Sequence, residues 1–369
     1  MNVRAAVLYE ARKPLVIEQV EVEAPKAGEV RVRWMAAGVC HSDYHAMSGD
    51  LPARTPIVLG HEGAGVVDAV GPGVTSVQTG DHVVSVWKYS CGACEHCRSG
   101  WGRVCPVSVR MRAEGSLADG TCRFRKDGRA VHHHLGVSTF CEASVVAERS
   151  VLKIREEMPF DKAAVVSCAV VTGVGAVING AQARPGESVV IFGVGGVGLN
   201  AVQGAALVNA DPIIAVDLVD GKLATAKKFG ATHLINAATE DPVARVREMT
   251  RGLGAHYAIE AIGLPAVALQ AFDCVRAGGT VVMVGLSAAQ ATAAIPTIPL
   301  VTQEKKLAGS TYGSSDPRDL VPRLIDLSLA GKLNLDDLLS RSYRLDQINE
   351  AYDALLKGEV ARSVIAFAR

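Results

Sequence analysis

Length, composition and charge narrow the possibilities before any motif is considered. The chain has 369 residues, of which 49% are hydrophobic. This length exceeds the size at which a single hydrophobic core stops growing, so about two domains are expected. Its 38 basic and 38 acidic residues cancel, so no overall field draws it to nucleic acid or an anionic membrane. We expect no signal peptide and no apolar run near the roughly 18 residues that span a bilayer, which predicts a cytoplasmic protein.

The first part of the chain, up to about residue 169, alternates short apolar segments with Gly, Pro and Asp, as in VRVRWMAAGV and HVVSVW. This pattern predicts an antiparallel, partly barrel-like β domain. Three segments hold scattered candidate metal ligands: GVCHSDYH at 38–45, GHEGAG at 60–65 and SCAVVTG at 167–173. Taken one at a time, each segment is better explained as a turn or a core strand than as a metal site.

Four cysteines crowd together at Cys91, Cys94, Cys97 and Cys105. The spacing C-x2-C-x2-C-x7-C can surround one tetrahedral ion, and thiolates suit zinc or an iron–sulfur cluster. The position of the fourth cysteine argues against iron–sulfur. Four protein ligands leave no open position, so a structural zinc is predicted. Three further cysteines stand alone and are interpreted as packing residues: Cys122, Cys141 and Cys274.

From about residue 185 to 311 the pattern changes to buried strands followed by helical segments, which predicts a parallel sheet. Gly193, Gly195 and Gly198 form G-x-G-x-x-G after the apolar strand SVVIF and before a helical segment, the context of a dinucleotide site. We expect these glycines to permit the tight turn, the approach of a pyrophosphate and close helix packing, in that order. Asp217 ends the next strand, where a carboxylate binds the ribose hydroxyls and repels a 2′-phosphate, so NAD is predicted rather than NADP.

The last residues, 312–369, contain two apparent helices, PRLIDLSLAG and INEAYDALLKG, and a final strand, SVIAFA. The pattern leaves open whether they form a third unit or return to the first domain. No internal repeat or low-complexity tract divides the chain further.

These motifs occur in the order found in the zinc-dependent medium-chain alcohol dehydrogenases, which the chain resembles over essentially its whole length. The resemblance rests on GVCHSD, LGHEGAGVV, the four-cysteine segment, GVGGVG and AVD. It implies an α/β fold: a Rossmann doubly wound parallel sheet (170–311) inserted into a GroES-like β-rich catalytic domain (1–169), which 312–369 completes. A structural zinc lobe would lie at about 88–106. The implied activity is NAD-dependent interconversion of a primary alcohol, aromatic and long-chain alcohols included, and its aldehyde.

The resemblance assigns a catalytic zinc to three dispersed ligands, Cys40, His61 and Cys168. Glu62 beside them would act as an alternating ligand, and two Zn²⁺ are expected per chain, one catalytic and one structural. Three protein ligands leave one position on the metal for a substrate oxygen. Ser42 and His45 stand where the family passes the alcohol proton through a hydroxyl, the nicotinamide ribose and a histidine.

A further set of residues matches cofactor contacts of the family: His41, Thr172, Gly193, Gly195, Gly196, Val197, Gly198, Asp217, Lys222, Val284 and Arg362. By resemblance, Thr172 would buttress the nicotinamide and Lys222 would contact the adenosine ribose. His41 and Arg362 would contact the pyrophosphate. His41 stands where some relatives have arginine, which predicts a weaker or pH-dependent phosphate contact.

The sequence leaves the substrate open. The segment SLADGTCRFRKDGRAVHHHLGVSTF resembles the long loop of the class III, formaldehyde-oxidising branch, so oxidation of a thiol–formaldehyde adduct is the rival prediction. The arginine that this branch uses for the glutathione carboxylate aligns with Val109, and His45 replaces its usual Tyr, which weakens the rival. Trp87 is expected to line the pocket. Arg110 would lie near the pocket mouth, either as a surface residue or as a contact for an acidic substrate tail. No metal site is predicted at the triple histidine, His132, His133 and His134.

Two other classes of protein fit less well. A zinc module that only binds nucleic acid or protein would need a basic face, and the cysteine segment has three arginines in a neutral chain. The zinc-free NADPH-dependent reductases of the same fold would lack the metal ligands and carry a basic residue where this chain has Asp217. We expect a small alcohol or aldehyde as the substrate and no nucleic-acid or membrane partner. A homodimer is favoured, with a tetramer left open.

Overall fold

The computed structural model describes residues 1–367, and its contacts divide the chain into two compact units. Unit 1 comprises Met1–Cys168, Asp316–Leu329 and the chain from Leu335 onward. Unit 2 comprises Ala169–Ser315 and Ala330–Asn334. Most of the segment after Ser315 therefore groups with the N-terminal part of the chain.

One part of unit 1 is a closed barrel of five strands. With elements numbered in chain order, these are β1 (Asn2–Leu8), β2 (Val16–Val22), β4 (Ile57–Val58), β7 (Phe124–Lys126) and β8 (Arg129–His133). They are joined in the order β1-β2-β7-β8-β4, and only the β4–β8 pair is parallel. That pair sets His132 opposite Ile57 and His133 opposite Val58, so two members of the triple histidine belong to the barrel wall.

The larger sheet of unit 1 has seven strands. They are β3 (Glu29–Val39), β5 (Glu62–Val70), β6 (His82–Ser85), β9 (Ala143–Ala147), β10 (Val151–Lys153), β17 (Leu339–Tyr343) and β18 (Arg362–Ala366). The order is β10-β6-β5-β3-β18-β17, and β9 also pairs with β3. The register sets Gly38 of β3 opposite Glu62, and Val39 opposite Ser363. The ends of three strands thereby meet beside the first residue after β3, Cys40.

Helices of unit 1 flank these sheets: α1 (His41–Ser48), α2 (Glu95–Arg98), α3 (Pro106–Glu114), α4 (Phe160–Val165), α11 (Pro317–Leu329) and α12 (Ile348–Leu356). Single 3₁₀ turns occur in unit 1 at Gly102–Val104, Glu148–Ser150 and Leu345–Gln347, and in unit 2 at Tyr312–Ser314. Helix α12 buries Ile348, Ala351, Tyr352 and Leu355, which recur at helical spacing. They pack in one apolar cluster with Ala46 and Met47 of α1, so the C-terminal helix supports the helix that follows Cys40.

The helical run Phe160–Ala181 corrects one expectation from the sequence. It has 22 residues and a mean hydropathy of 1.8, so by length and composition alone it could cross a membrane, whereas no apolar run near 18 residues was expected. Its buried share, 78% of the most apolar window, is what the core helix of a globular protein shows. It contains α4, a π-helical turn at Val166–Val170, α5 (Val171–Gly175) and a second π-helical turn at Ala176–Ala181.

Unit 2 is built on a six-stranded parallel sheet. Its strands are β11 (Val189–Phe192), β12 (Ile213–Asp217), β13 (His233–Asn236), β14 (Ala255–Glu260), β15 (Val275–Met283) and β16 (Lys306–Gly309). Its remaining helices are α6 (Gly196–Leu207), α7 (Asp220–Lys228), α8 (Pro242–Met249), α9 (Pro265–Cys274) and α10 (Thr297–Thr302). The order β13-β12-β11-β14-β15-β16 reverses direction after β11, and ligands of such sheets bind at the carboxyl ends of the strands at this point. This doubly wound sheet and the β-rich unit confirm the predicted fold class.

Candidate metal and cofactor sites

Four side chains that are far apart in the sequence meet in unit 1. One ligand atom from each lies within 4.8 Å of all the others, and all four residues are buried: Cys40, His61, Glu62 and Cys168. His61 Nε2 is 3.3 Å from Cys168 Sγ and 3.9 Å from Glu62 Oε1. We call this set the catalytic cluster. The structure therefore brings together the three predicted zinc ligands and the predicted alternating ligand.

Each member of the catalytic cluster is fixed by the element that carries it. Cys40 follows β3 and caps α1, while Glu62 opens β5, the strand paired with β3. A Cβ on Gly38 would come within 2.1 Å of Glu62 Oε2, so this position of β3 requires glycine. Cys168 lies in the π-helical turn Val166–Val170, a distortion that frequently marks functional sites.

Asp43, which the sequence reading did not single out, orients His61. Its Oδ1 accepts a hydrogen bond from the Gly60 N–H at 3.0 Å and lies 3.0 Å from His61 Nδ1. Because Nδ1 is held by this carboxylate, Nε2 is left to face Cys168 and Glu62. The signal was present in the motif CHSD, where Asp43 stands one helical turn after Cys40.

The buried groups of the catalytic cluster shift one another's pKa values. A hydrogen bond with Cys40 raises the pKa of Cys168 most, and burial raises it further. Burial opposes protonation of His61, but the charges of Asp43 and Cys40 outweigh it and raise the pKa of His61 well above its ordinary value. A hydrogen bond with Cys168 lowers the pKa of the Cys40 thiol. Burial raises the pKa of Glu62 to about 8. Two sulfurs, an imidazole nitrogen and an adjacent carboxylate form a donor set that suits zinc.

Arg362, the first residue of β18, lies against the catalytic cluster. Its Nη1 donates to the Val39 carbonyl at 2.9 Å, and its Nη2 lies 3.2 Å from Glu62 Oε1. The side chain is only 4% exposed. The structure thus pairs Arg362 with the predicted alternating ligand, and its contact with a pyrophosphate stays a prediction.

The predicted relay residues lie on α1. Ser42 and His45 are three residues apart, which places them on neighbouring positions of one helix face. His45 Nδ1 is 3.4 Å from Asp50 Oδ2, and its side chain is 18% exposed. His41 is exposed, and its ring packs edge-on against Tyr44 with centroids 6.3 Å apart.

Two residues were predicted near the substrate. Trp87 packs edge-on against His61, with ring centroids 5.4 Å apart, so it borders the catalytic cluster. Arg110 lies on α3, is exposed, and donates from Nη2 to the Ala118 carbonyl at 2.8 Å. Its guanidinium therefore donates one hydrogen bond to the backbone of the segment that follows α3.

The triple histidine divides among three environments. His132 Nδ1 lies 3.6 Å from Cys122 Sγ, and buried His133 accepts a hydrogen bond at Nε2 from the Arg123 N–H at 3.0 Å. His134 is buried with its Nε2 3.3 Å from Asp43 Oδ1. Asp43, His61 and His134 could by proximity hold a metal. Because Asp43 and His61 Nδ1 already bind each other, we interpret His134 as a second neighbour of Asp43.

The crowded cysteines form a separate donor set in unit 1. Ligand atoms of Cys91, Cys94, Cys97 and Cys105 all lie within 4.8 Å of one another. The Sγ–Sγ distances are 3.9 Å for Cys91–Cys97 and 3.9 Å for Cys94–Cys105. A zinc tetrahedron with Zn–S bonds of about 2.3 Å has edges of about 3.8 Å, so the four sulfurs fit it. Hydrogen bonds from the Ala93 and Cys94 amides lower the pKa of Cys91 to about 6, which favours the thiolate that binds metal.

The glycine motif of unit 2 forms the turn between β11 and α6. Gly193 has a φ of +83°, which favours glycine, and a Cβ on Gly198 would come within 1.8 Å of the Gly193 carbonyl oxygen. A Cβ on Gly195 would meet no atom within 4 Å, so this side of the turn is open to a ligand. Gly196 and Val197 begin α6, which has no side-chain cap, so their N–H groups are available to phosphate oxygens.

Asp217 is bound into the same turn at the end of β12. Its Oδ2 accepts from the Val194 N–H at 3.0 Å, and its Oδ1 accepts from the Leu218 and Val219 N–H groups at 2.8 and 3.1 Å. The carboxylate is thereby held beside the glycine motif, where a ribose would be recognised. The other predicted cofactor contacts of unit 2 are Thr172 on α5, Lys222 on α7 and Val284 directly after β15.

A surface cavity of about 540 Å³ lies elsewhere in unit 2. It is lined at the amino ends of β11, β14 and β15 by polar residues that include Arg184, Glu187, His256 and Arg276. The glycine motif follows the opposite end of β11. None of the predicted site residues lines this cavity, so it is separate from the cofactor site.

Two family models match different parts of the chain. Residues 26–156 match the alcohol dehydrogenase GroES-like domain, and residues 196–329 match the zinc-binding dehydrogenase family. An S-(hydroxymethyl)glutathione dehydrogenase of Paracoccus denitrificans is 40% identical over 376 residues, covering 100% of both chains. Two solved structures each cover 100% of both chains. A zinc-binding domain protein of the alcohol dehydrogenase type from Burkholderia ambifaria has a TM-score of 0.96 at 37% identity. The benzyl alcohol dehydrogenase of Acinetobacter calcoaceticus has a TM-score of 0.94 at 32% identity.

Proposed function

This chain belongs to the zinc-dependent alcohol dehydrogenase family, and we propose that its alcohol substrate is primary and its cofactor is NAD. As a member of this family, it is an oxidoreductase that interconverts an alcohol and an aldehyde with a nicotinamide cofactor. The observation that carries the proposal is the convergence of Cys40, His61 and Cys168 in one buried cluster. The aromatic Trp87 beside His61 supports aromatic alcohols within the substrate range.

We further propose two zinc ions per chain, one held by the catalytic cluster and one by the four crowded cysteines. At the catalytic cluster, a bound zinc supplies Lewis-acid polarisation of the substrate oxygen. Asp43 fixes the ring of His61 so that Nε2 faces the metal position. The carboxylate of Glu62 is partly neutralised by Arg362, whose Nη2 lies 3.2 Å from Glu62 Oε1. This pairing suits a carboxylate that would bind the zinc reversibly.

Ser42 and His45 are proposed to carry the alcohol proton to solvent. A hydroxyl can accept the proton of a bound alcohol and pass it on without a lasting charge. The imidazole of His45 is partly exposed, so it can pass the proton to water. Their spacing on α1 supports a relay that shares one helix face.

The proposed preference for NAD rests on Asp217. Its carboxylate is oriented by three backbone N–H groups beside the glycine motif. A charged carboxylate there accepts hydrogen bonds from ribose hydroxyls and repels a 2′-phosphate.

A thiol–formaldehyde adduct is the second candidate substrate. The relative from Paracoccus denitrificans that covers the full chain at 40% identity carries the name S-(hydroxymethyl)glutathione dehydrogenase, which favours it. Against it stands Val109, 63% exposed, at the position where the resemblance predicts a carboxylate-binding arginine.

We also propose a cytoplasmic homodimer. Ile298 and Val301 of α10 are 75% and 74% exposed, and Leu307 of the edge strand β16 is also exposed. Apolar residues concentrated along one sheet edge support burial against a second copy. The nine cysteines, all within the described part of the chain, form no disulfide, which supports a reducing compartment.

A steady-state screen tests the proposed function. Primary, secondary and aromatic alcohols are compared with NAD and NADP, and formaldehyde is tested with and without glutathione. We expect saturation with primary alcohols and NAD in the absence of thiol. Saturation only when the thiol is present would replace the proposal with the second candidate.

A further inference from the structure

The surface cavity of unit 2 lies at the end of the parallel sheet opposite the glycine motif. Its volume is about 540 Å³, and it is lined where β11, β14 and β15 begin. Pockets of this size hold small-molecule ligands in many proteins. The cavity contains no member of the two cysteine-containing donor sets and no predicted cofactor contact, so a ligand bound here would be neither substrate nor cofactor.

The lining of this cavity carries an excess of positive charge. It includes three cationic side chains, Arg184, Arg276 and Lys306, and one carboxylate, Glu187. Glu187 Oε2 accepts hydrogen bonds from the Arg184 backbone N–H at 2.9 Å and from the Tyr257 hydroxyl at 2.8 Å. In the described part of the chain, none of the three cationic groups has a carboxylate within salt-bridge distance. Their charges are therefore left for an anion to balance.

Two hydrogen-bond donors meet the ring of His256, one at each nitrogen. The Ser188 N–H is directed at Nδ1 over 3.1 Å, and Arg276 Nη1 lies 2.9 Å from Nε2. Partial burial is the main cause that lowers the pKa of His256, and the Arg276 charge lowers it further, so the ring is neutral at pH 7. A neutral imidazole has one lone pair and one N–H, so it can accept only one of these two hydrogen bonds.

Ser188 determines which nitrogen of His256 keeps the lone pair. The residue is 3% exposed, so its N–H has no access to water and requires Nδ1 as its acceptor. The ring proton then lies on Nε2, where it meets another donor, the Arg276 guanidinium. Arg276 is only half-buried, so the guanidinium can turn toward the cavity. An anion that accepts from both donors would remove this unfavourable contact.

We infer that this cavity binds the phosphate group of a small phosphorylated ligand, with Arg276 and His256 as its main contacts. A planar guanidinium matches two phosphate oxygens, and the Nε2–H can donate to a third. A phosphate dianion balances two of the three cations, whereas a carboxylate would balance one. The cavity is larger than a phosphate group, and Tyr257 also lines it, so room remains for an attached organic group. The site is independent of the proposed function.

Calorimetry with inorganic pyrophosphate tests the site in the full-length protein. Saturating NADH is present, so that the glycine motif is occupied. We expect one pyrophosphate per chain, bound more weakly as salt is added. Arg276→Gln removes a charge-assisted contact and should weaken binding about 10- to 100-fold, and Arg276→Lys should restore part of it. His256→Asn keeps an acceptor for the Ser188 N–H but lacks the Nε2–H, so binding should weaken about 3- to 10-fold.

Arg245→Gln is the matched control for the loss of one positive charge. Arg245 belongs to α8 of the same unit, and its Nε lies 2.8 Å from Glu240 Oε2, so pyrophosphate binding should be unchanged. Absence of binding, or binding that survives Arg276→Gln, overturns the site, because pyrophosphate held at the glycine motif would not depend on Arg276. Equal weakening in Arg245→Gln also overturns it, because attraction to the overall charge would then suffice.

Lys306→Met keeps the test valid if Arg276→Gln does not fold. Lys306 is exposed, so its replacement should leave the fold and NADH affinity intact while pyrophosphate binding weakens about threefold or more. Undiminished binding in Lys306→Met and in His256→Asn would contradict the site without recourse to Arg276.

A series of three ligands identifies what carries the phosphate. Inorganic phosphate, AMP and adenosine are titrated into the NADH-saturated protein. AMP bound about tenfold tighter than inorganic phosphate, with the advantage lost in Tyr257→Leu, assigns the site to a nucleotide. Equal affinities for AMP and inorganic phosphate assign it to the phosphate group alone. Adenosine bound as tightly as AMP would contradict recognition of phosphate.

Discussion

Asp43 Oδ1 lies 3.0 Å from His61 Nδ1, and both side chains are fully buried. A carboxylate in this position fixes the tautomer and the direction of a metal-binding imidazole. Asp43→Asn keeps an oxygen acceptor but removes the charge, so we expect about 10- to 100-fold weaker zinc binding at the catalytic cluster. Competition with a chromogenic chelator measures the affinity.

Asp50→Asn is the matched control for this change, because Asp50 is exposed and contacts His45. Zinc affinity should match that of the unmodified protein. An Asp43→Asn protein with unaltered affinity for both zinc ions would show that Asp43 does not support His61.

The four-cysteine lobe should depend on its own metal. Cys105 is buried, and Cys105→Ser removes one sulfur of the tetrahedron, so we expect loss of one zinc per chain. Limited proteolysis should then cut the chain near residues 91–105. Cys122→Ser changes a buried cysteine outside both donor sets and should retain both metals and the protease resistance.

Asp217→Asn tests the choice of cofactor. The amide oxygen can still accept hydrogen bonds from the Leu218 and Val219 N–H groups, while the amide NH2 then faces the Val194 N–H, so one hydrogen bond of the turn is lost together with the negative charge. The kcat/KM for NADP relative to NAD should rise about tenfold, as expected for the loss of about 1.4 kcal/mol of repulsion. A wild-type enzyme that already prefers NADP would contradict the proposed role of Asp217.

Stability should fall in acid because of His133. Burial is the main cause that lowers the pKa of His133 to about 3, whereas the unfolded chain titrates near pH 6.5. The neutral form is favoured in the folded state, so this contribution is complete above about pH 6.5 and is lost as the pH falls toward 3. Between these limits each pH unit removes about 1.4 kcal/mol of unfolding free energy.

Denaturant midpoints measured from pH 7 to pH 4 detect this dependence. In His133→Gln, the glutamine side chain can still accept a hydrogen bond from the Arg123 N–H. The slope of its unfolding free energy against pH should correspond to one proton fewer taken up on unfolding than in the unmodified protein. His233→Gln, at an exposed position of unit 2, should keep the original slope. Equal slopes in all three proteins would exclude His133 as the acid-sensitive group.

The sequence was sufficient wherever a local pattern determines the structure. The glycine turn, the parallel strands and the spacing of Cys91–Cys105 each follow from neighbouring residues, and the structure describes them at those positions. The catalytic cluster required the resemblance as well, because the pairing of β3 with β5 and the position of a separate helical turn together bring Cys40, Glu62 and Cys168 close to one another. No local pattern encodes that pairing.

Other features depended on burial that the sequence does not state. The long helix Phe160–Ala181 was not predicted from the sequence, because Ser, Thr, Gly and Asn interrupt its apolar residues. Asp43 was passed over beside stronger ligands in the same motif.

The central claim is that Cys40, His61 and Cys168 hold a zinc on which the reaction depends. Parallel measurement of zinc content and NAD-linked alcohol oxidation in Cys168→Ser tests it most directly, with Cys141→Ser as a buried control outside both donor sets. The account predicts two zinc ions per chain in the unmodified protein. In Cys168→Ser it predicts one zinc ion per chain and a kcat reduced by a factor of at least about 10³. Full activity in Cys168→Ser, or an active unmodified protein with one zinc that the variant retains, would contradict it.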